Sequence, residues 1–120
     1  MTNNTFNWGV IGTGGIANAF TKDIQELGQH KVTAVLSRSI TTANSFASTL
    51  NSCKSFVDME IFLDKSNVDA IYIATPNTLH CKQTIACLNA KIPVLFIVIN
   101  ISKLFIKNLL LILGLKKSNN

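Results

Sequence analysis

Short apolar runs rich in β-branched residues alternate along this chain with stretches whose apolar positions recur at three- and four-residue steps. The first pattern predicts strands and the second predicts helices buried on one face. Residues 8–11 form the first run and lead straight into glycines. From 16 to 27, Ile16, Phe20, Ile24 and Leu27 mark a buried helical face, and Gly28 supplies a stop signal. Residues 32–36 predict a second strand, and residues 42–50 a helix burying Ala43, Phe46, Ala47 and Leu50. A short third strand is expected around Phe56-Val57, followed by a helix that Asp58 caps and that holds Ile61, Phe62 and Leu63. Residues 68–74 are almost continuously apolar, which suits a central strand covered on both faces. Pro76 ends that strand, because proline cannot donate to a ladder. A helix over 78–89 should bury Leu79, Ile85, Ala86 and Leu88, and residues 93–99 predict a fifth strand.

Strands alternating with helices specify crossover units and a parallel sheet. Right-handed connections then give an α/β, doubly wound parallel sheet of the Rossmann type, with strand order 3-2-1-4-5. The ligand crevice should lie outside the carboxyl ends of strands one and four. The length of 120 residues suits one domain, and 48% hydrophobic against 14% charged residues argues against disorder. The expected division is a domain over 1–96 and a divergent apolar and basic tail over 97–120, which leaves the sheet incomplete.

The net charge of +5 suggests a nucleic-acid partner until it is divided along the chain. Through Ala90 the bases and acids balance. The excess comes from Lys91, Lys103, Lys107, Lys116 and Lys117, with no acid among them. A solvated tail accounts for that, and no basic stripe or recognition motif supports nucleic-acid binding. Cys53, Cys81 and Cys87 lack metal-ligand spacing, and the N-terminus carries no signal segment, so reduced thiols in a cytoplasmic protein are expected. Each cysteine reads as a small core residue and His30 as a loop residue. No metal site is expected.

The segment Gly12-Thr13-Gly14-Gly15-Ile16-Ala17 fits G-x-G-x-x-A between a strand and a helix, the context a dinucleotide fingerprint requires. Gly12 allows the tight turn, Gly14 lets backbone approach a pyrophosphate, and Ala17 lets the helix pack closely. The amides opening the helix, through Gly15 and Ile16, are left to bind phosphate oxygens. About twenty positions on, where NAD sites carry an acid, stands Ser37-Arg38-Ser39. Arg38 could pair with a 2′-phosphate in forked geometry, which favours NADP with NAD as the alternative. The competing reading of Arg38 is an exposed arginine pointing away from the crevice.

With these residues in view the chain resembles the Gfo/Idh/MocA oxidoreductases, in particular their dihydrodiol and xylose dehydrogenase-like branch. The likeness rests on the stretch from Trp8 to Ala17, on Thr33-Ala34-Val35-Leu36-Ser37-Arg38, and on Val68-Asp69-Ala70-Ile71-Tyr72-Ile73-Ala74-Thr75-Pro76-Asn77-Thr78-Leu79-His80. It covers roughly residues 7–95. The resemblance implies that Thr75, Pro76 and Asn77 line the cofactor crevice near ribose and nicotinamide. It also matches His80 to the family's Asn-x-x-His pattern, although packing at a helix start is the preferred reading of that ring. After the helix, family members read a small residue, glycine, lysine, then a strand ending in Glu-Lys-Pro whose lysine helps transfer a proton. Here Ile97, Val98 and Ile99 occupy those three positions, so no catalytic residue carries over.

The expected chain is therefore a nucleotide-binding domain without its catalytic lysine or a substrate domain, and inactive alone. Two other readings stay open: a non-enzymatic dinucleotide-sensing module, and a small membrane-anchored protein. Ile101, Leu104, Phe105 and Leu109 could form one side of an amphipathic helix. Membrane spanning is disfavoured because Lys103 and Lys107 interrupt the apolar stretch, at about 2.5–3.5 kcal/mol each. The abrupt change after Leu95 to Ile, Leu, Lys, Asn and Phe reads as an out-of-frame remnant of an A/T-rich gene, with a true alternative C-terminus as the other reading. An uncovered sheet edge favours self-association.

Overall fold

A computed structural model describes residues 5–95, with Asn77 described by its backbone alone. The elements are β1 (Phe6–Ile11), α1 (Gly15–Gln25), β2 (His30–Leu36), α2 (Ile40–Ala47), β3 (Lys54–Phe56), α3 (Met59–Lys65), β4 (Ala70–Ile73), α4 (Asn77–Asn89) and β5 (Val94–Leu95). All strand pairs are parallel, and the sheet order is β3-β2-β1-β4-β5, the doubly wound order that the alternating pattern predicts. The expected continuation of the fifth strand through 99, and every reading of the tail including Val98, lies outside the described residues.

Alternation along β1 divides the core into two faces. Phe6, Trp8 and Val10 point toward α1 and α2, where they meet Ala17, Phe20, Ile24 and Phe46. Ile11 belongs to the opposite face, with Phe62 of α3 and Cys87 of α4. Gly9 lies on that second face because nothing larger fits: a Cβ there would stand 2.9 Å from the Phe62 ring. Phe20 joins the sheet by stacking on Tyr72 and meeting Trp8 edge-on. Burying both faces of a parallel sheet in this way is the main stabilising term of the fold.

The helix starts follow local chemistry. Asp58 accepts from the Ile61 amide at 3.0 Å, the cap that the sequence predicts. Ser39 caps α2 by accepting from the amides of Thr41 and Thr42. At the end of α4 the Ile92 amide reaches the Cys87 carbonyl and the Lys91 amide the Leu88 carbonyl, a Schellman closure with Lys91 at φ 62°.

Four expectations are corrected. Ile16 is 48% exposed, and the buried stripe of α1 is Ala17, Phe20, Thr21 and Ile24. At about 100° per residue Ile16 falls a quarter-turn off that stripe, whose position the close approach of Ala17 sets. On α4, Leu79, Ile85 and Leu88 are exposed, while His80 and Cys87 are buried. Thr75 bonds to His80 and Gln83 at the start of this helix and Cys87 packs in the core beside Ile92 and Val94, so the face toward the sheet is set by these residues and not by the apolar spacing. His30 is no loop residue: it opens β2, is buried, and accepts a hydrogen bond from Trp8. Cys81 is exposed rather than part of the core.

Candidate functional site

The connections from β1 and β4 leave in opposite directions, and between their carboxyl ends the sheet opens into a cleft of about 680 Å³. Its floor is the glycine turn. Gly12 adopts φ 109°, donates its amide to the Leu36 carbonyl at 2.9 Å, and would place a Cβ 3.2 Å from the Ala74 backbone. A Cβ there would be tight against the neighbouring strand, and the positive φ itself favours glycine. Gly14 is different. Its backbone is extended, and a Cβ would meet nothing within 4 Å. The space in front of Gly14 is therefore free for a ligand.

Gly14 is also the N-cap of α1, and it brings no side chain to satisfy the first amides. No acid stands in the first turn. With the helix dipole added, this end of α1 is suited to an anion. Gly15 and Ile16 follow as exposed first-turn residues, and Thr13 joins Gly12 and Gly14 in lining the cleft.

The segment after β2 forms one wall. Ser37 shares a hydroxyl hydrogen bond with Thr42, and Ser39 is engaged in capping α2. Arg38 between them is exposed, lines the cleft, and forms no ion pair among the described residues. The β4–α4 connection forms the other wall. The Thr75 hydroxyl donates to the Gln83 side chain, and His80 Nε2 donates to the Thr75 carbonyl. Thr75 and Pro76 line the cleft, and Asn77 opens α4 directly after Pro76. His80 is buried behind this loop as a strut and takes no part in the wall.

The cleft thus brings together Gly12, Thr13, Gly14, Ser37, Arg38, Thr75 and Pro76 of the residues the sequence singles out. It adds Val57 and Met59, and from α4 Leu79, Lys82, Gln83 and Ala86. The signal for this last group was the one-turn spacing of Leu79, Gln83 and Ala86 on a helix that starts at the crevice. Among the described residues no carboxylate lines the cleft, while two cations, Arg38 and Lys82, do. Cys53 and Cys87 lie outside it, and burial pushes both thiols up to about 11, which keeps them protonated at neutral pH. Among the described residues no helix is long and apolar enough to cross a membrane.

A parallel 3-2-1-4-5 sheet with a glycine turn and a helix start whose first amides face an open cleft defines a dinucleotide-binding domain of the Rossmann type. The profile of the oxidoreductase family with an NAD-binding Rossmann fold matches residues 6–96, and the chain belongs to this family, Gfo/Idh/MocA. It is 41% identical over 86 residues to the uncharacterised oxidoreductase YgjR of Escherichia coli, covering 72% of this chain and 26% of that one. It is 35% identical over 80 residues to scyllo-inositol 2-dehydrogenase (NADP(+)) IolU of Bacillus subtilis, covering 67% and 24%. Among solved structures, KijD10, a 3-ketoreductase from Actinomadura kijaniata in complex with TDP-benzene and NADP, aligns with a TM-score of 0.71 at 28% identity, over 78% of this chain and 29% of that one. Scyllo-inositol dehydrogenase from Lactobacillus casei with NAD(H) shares the fold, with a TM-score of 0.70 at 22% identity over 77% and 27%. The chain spans about a quarter of the length of the curated relatives it matches.

Proposed function

We propose that this chain is an NADP-preferring dinucleotide-binding domain, and that by itself it binds the cofactor without transferring hydride. The observation that carries the preference is Arg38, unpaired among the described residues on a cleft wall that bears no carboxylate. An acid at this point would bond two ribose hydroxyls and repel a phosphate; a guanidinium instead grips a phosphate through two parallel N–H donors. The first-turn amides of α1 hold the pyrophosphate, and the open space before Gly14 admits it. Thr75 and Pro76 border the part of the cleft nearest β4, where the rest of the cofactor lies. Relatives support both cofactors: IolU carries NADP(+) in its name and KijD10 was solved with NADP, whereas the Lactobacillus enzyme was solved with NAD(H).

When bound, the nicotinamide supplies a hydride donor or acceptor. The lysine that the resemblance expects to move the proton is replaced here: Val98 stands in its place, and an alkyl side chain neither holds nor donates a proton. Calorimetric titration of NADP+ and NAD+ against the wild type and Arg38→Asp tests the binding part. We expect the wild type to favour NADP+ by about ten-fold or more and the substitution to remove that preference. A wild type without preference, or a ratio that Arg38→Asp leaves unchanged, overturns it. Measurable oxidation of NADPH by this chain with sugar or diketone substrates overturns the second part.

A further inference from the structure

Lys82 is the only charged residue in α4, whose sequence NTLHCKQTIACLN contains no acid. Its neighbours one turn away are Thr78, Leu79, Ile85 and Ala86, so no pair along the helix accounts for it. It forms no ion pair among the described residues. It does line the same cleft as Arg38. The two cations approach from different sides, because Arg38 follows β2, Lys82 follows β4, and β1 with its glycine turn lies between those strands.

A phosphate monoester carries about −1.5 to −2 charges at neutral pH, so a single guanidinium leaves part of it uncompensated. The pyrophosphate already has the amides and dipole of α1. We propose that Lys82 is a second contact for the ribose 2′-phosphate, a mobile point charge on the α4 wall opposite the fixed fork of Arg38, and so a determinant of cofactor choice. This rests on the NADP reading above.

The test uses the 120-residue chain with NADP+ and NAD+ as probes, titrated against the wild type, Lys82→Gln, Lys82→Arg and Arg38→Gln. Thermal melting of each variant keeps a folding loss apart from a binding loss. Lys82→Gln should weaken NADP+ binding by about ten-fold while leaving NAD+ within about two-fold. Lys82→Arg should restore most of the NADP+ affinity, and the salt dependence of NADP+ binding should be shallower in Lys82→Gln than in the wild type. Equal weakening of both cofactors would assign Lys82 to the pyrophosphate and overturn the inference, as would no change in either. If Arg38→Gln selectively weakens NADP+ and Lys82→Gln does not, the NADP reading stands and this inference alone falls. A wild type that prefers NAD+ overturns both.

Discussion

The indole Nε1–H of Trp8 donates to Nδ1 of His30 across 3.0 Å, inside the core and across the β1–β2 pair. An indole nitrogen can only donate, so Nδ1 is the acceptor and the ring proton of a neutral His30 lies on Nε2. Both residues are buried, and Phe6 packs against each ring. His30→Leu should strand the indole N–H and lower stability by about 1–3 kcal/mol. His30→Gln, which keeps an acceptor, should lose less. Urea unfolding followed by the emission of Trp8, the chain's single tryptophan, measures both. Equal losses would mean that His30 contributes volume and not the bond.

The two glycines of the turn should separate folding from binding. Gly12→Ala forces a side chain into positive φ and against the Ala74 backbone, and should lower stability by about 1–3 kcal/mol. Gly14→Val meets open space and should leave the unfolding free energy within about 1 kcal/mol of the wild type, yet abolish dinucleotide binding. Chemical denaturation and cofactor titration on the two variants check this. A Gly14→Val chain that still binds at wild-type strength would remove the pyrophosphate from this place.

Lys91 occupies the left-handed position that closes α4, where its Cβ is strained and glycine is at ease. Lys91→Gly should therefore stabilise the chain by about 1 kcal/mol, read as a rise in the midpoint of thermal or urea unfolding. A fall would show that the aliphatic stem or charge of Lys91 contributes more than the strain removes.

The strand order and the glycine turn were legible because they depend on short-range signals. Alternating apolar runs set the crossovers, and Gly12 and Gly14 fall directly between a strand and a helix, the context that gives the glycine spacing its meaning. Asp58 was legible as a cap for the same reason. What the sequence concealed depends on partners far along the chain. Nothing near His30 announces that its acceptor faces an indole 22 positions earlier. The buried face of α4 could not be read from Leu79, Ile85 and Leu88, because the side toward the sheet carries His80, tied to the Thr75 carbonyl, and Cys87, and leaves those side chains outward. Lys82 carries no signal of its own in the sequence; its place on the cleft wall singles it out.

β1 stands in the middle of the sheet although it is the first element of the chain, with β2 on one side and β4 on the other. Trp8 pairs with Val32 on β2 and with Ala70 on β4. During synthesis at about 5–20 residues per second, the second partner emerges roughly 3–12 s after the first strand. The face toward α1 and α2 can begin to collapse early, while the face that Ile11 shares with Phe62 and Cys87 must wait. Nascent β1 therefore spends seconds with one ladder of backbone donors and acceptors unpaired, the interval in which a chaperone or a second strand edge would find it.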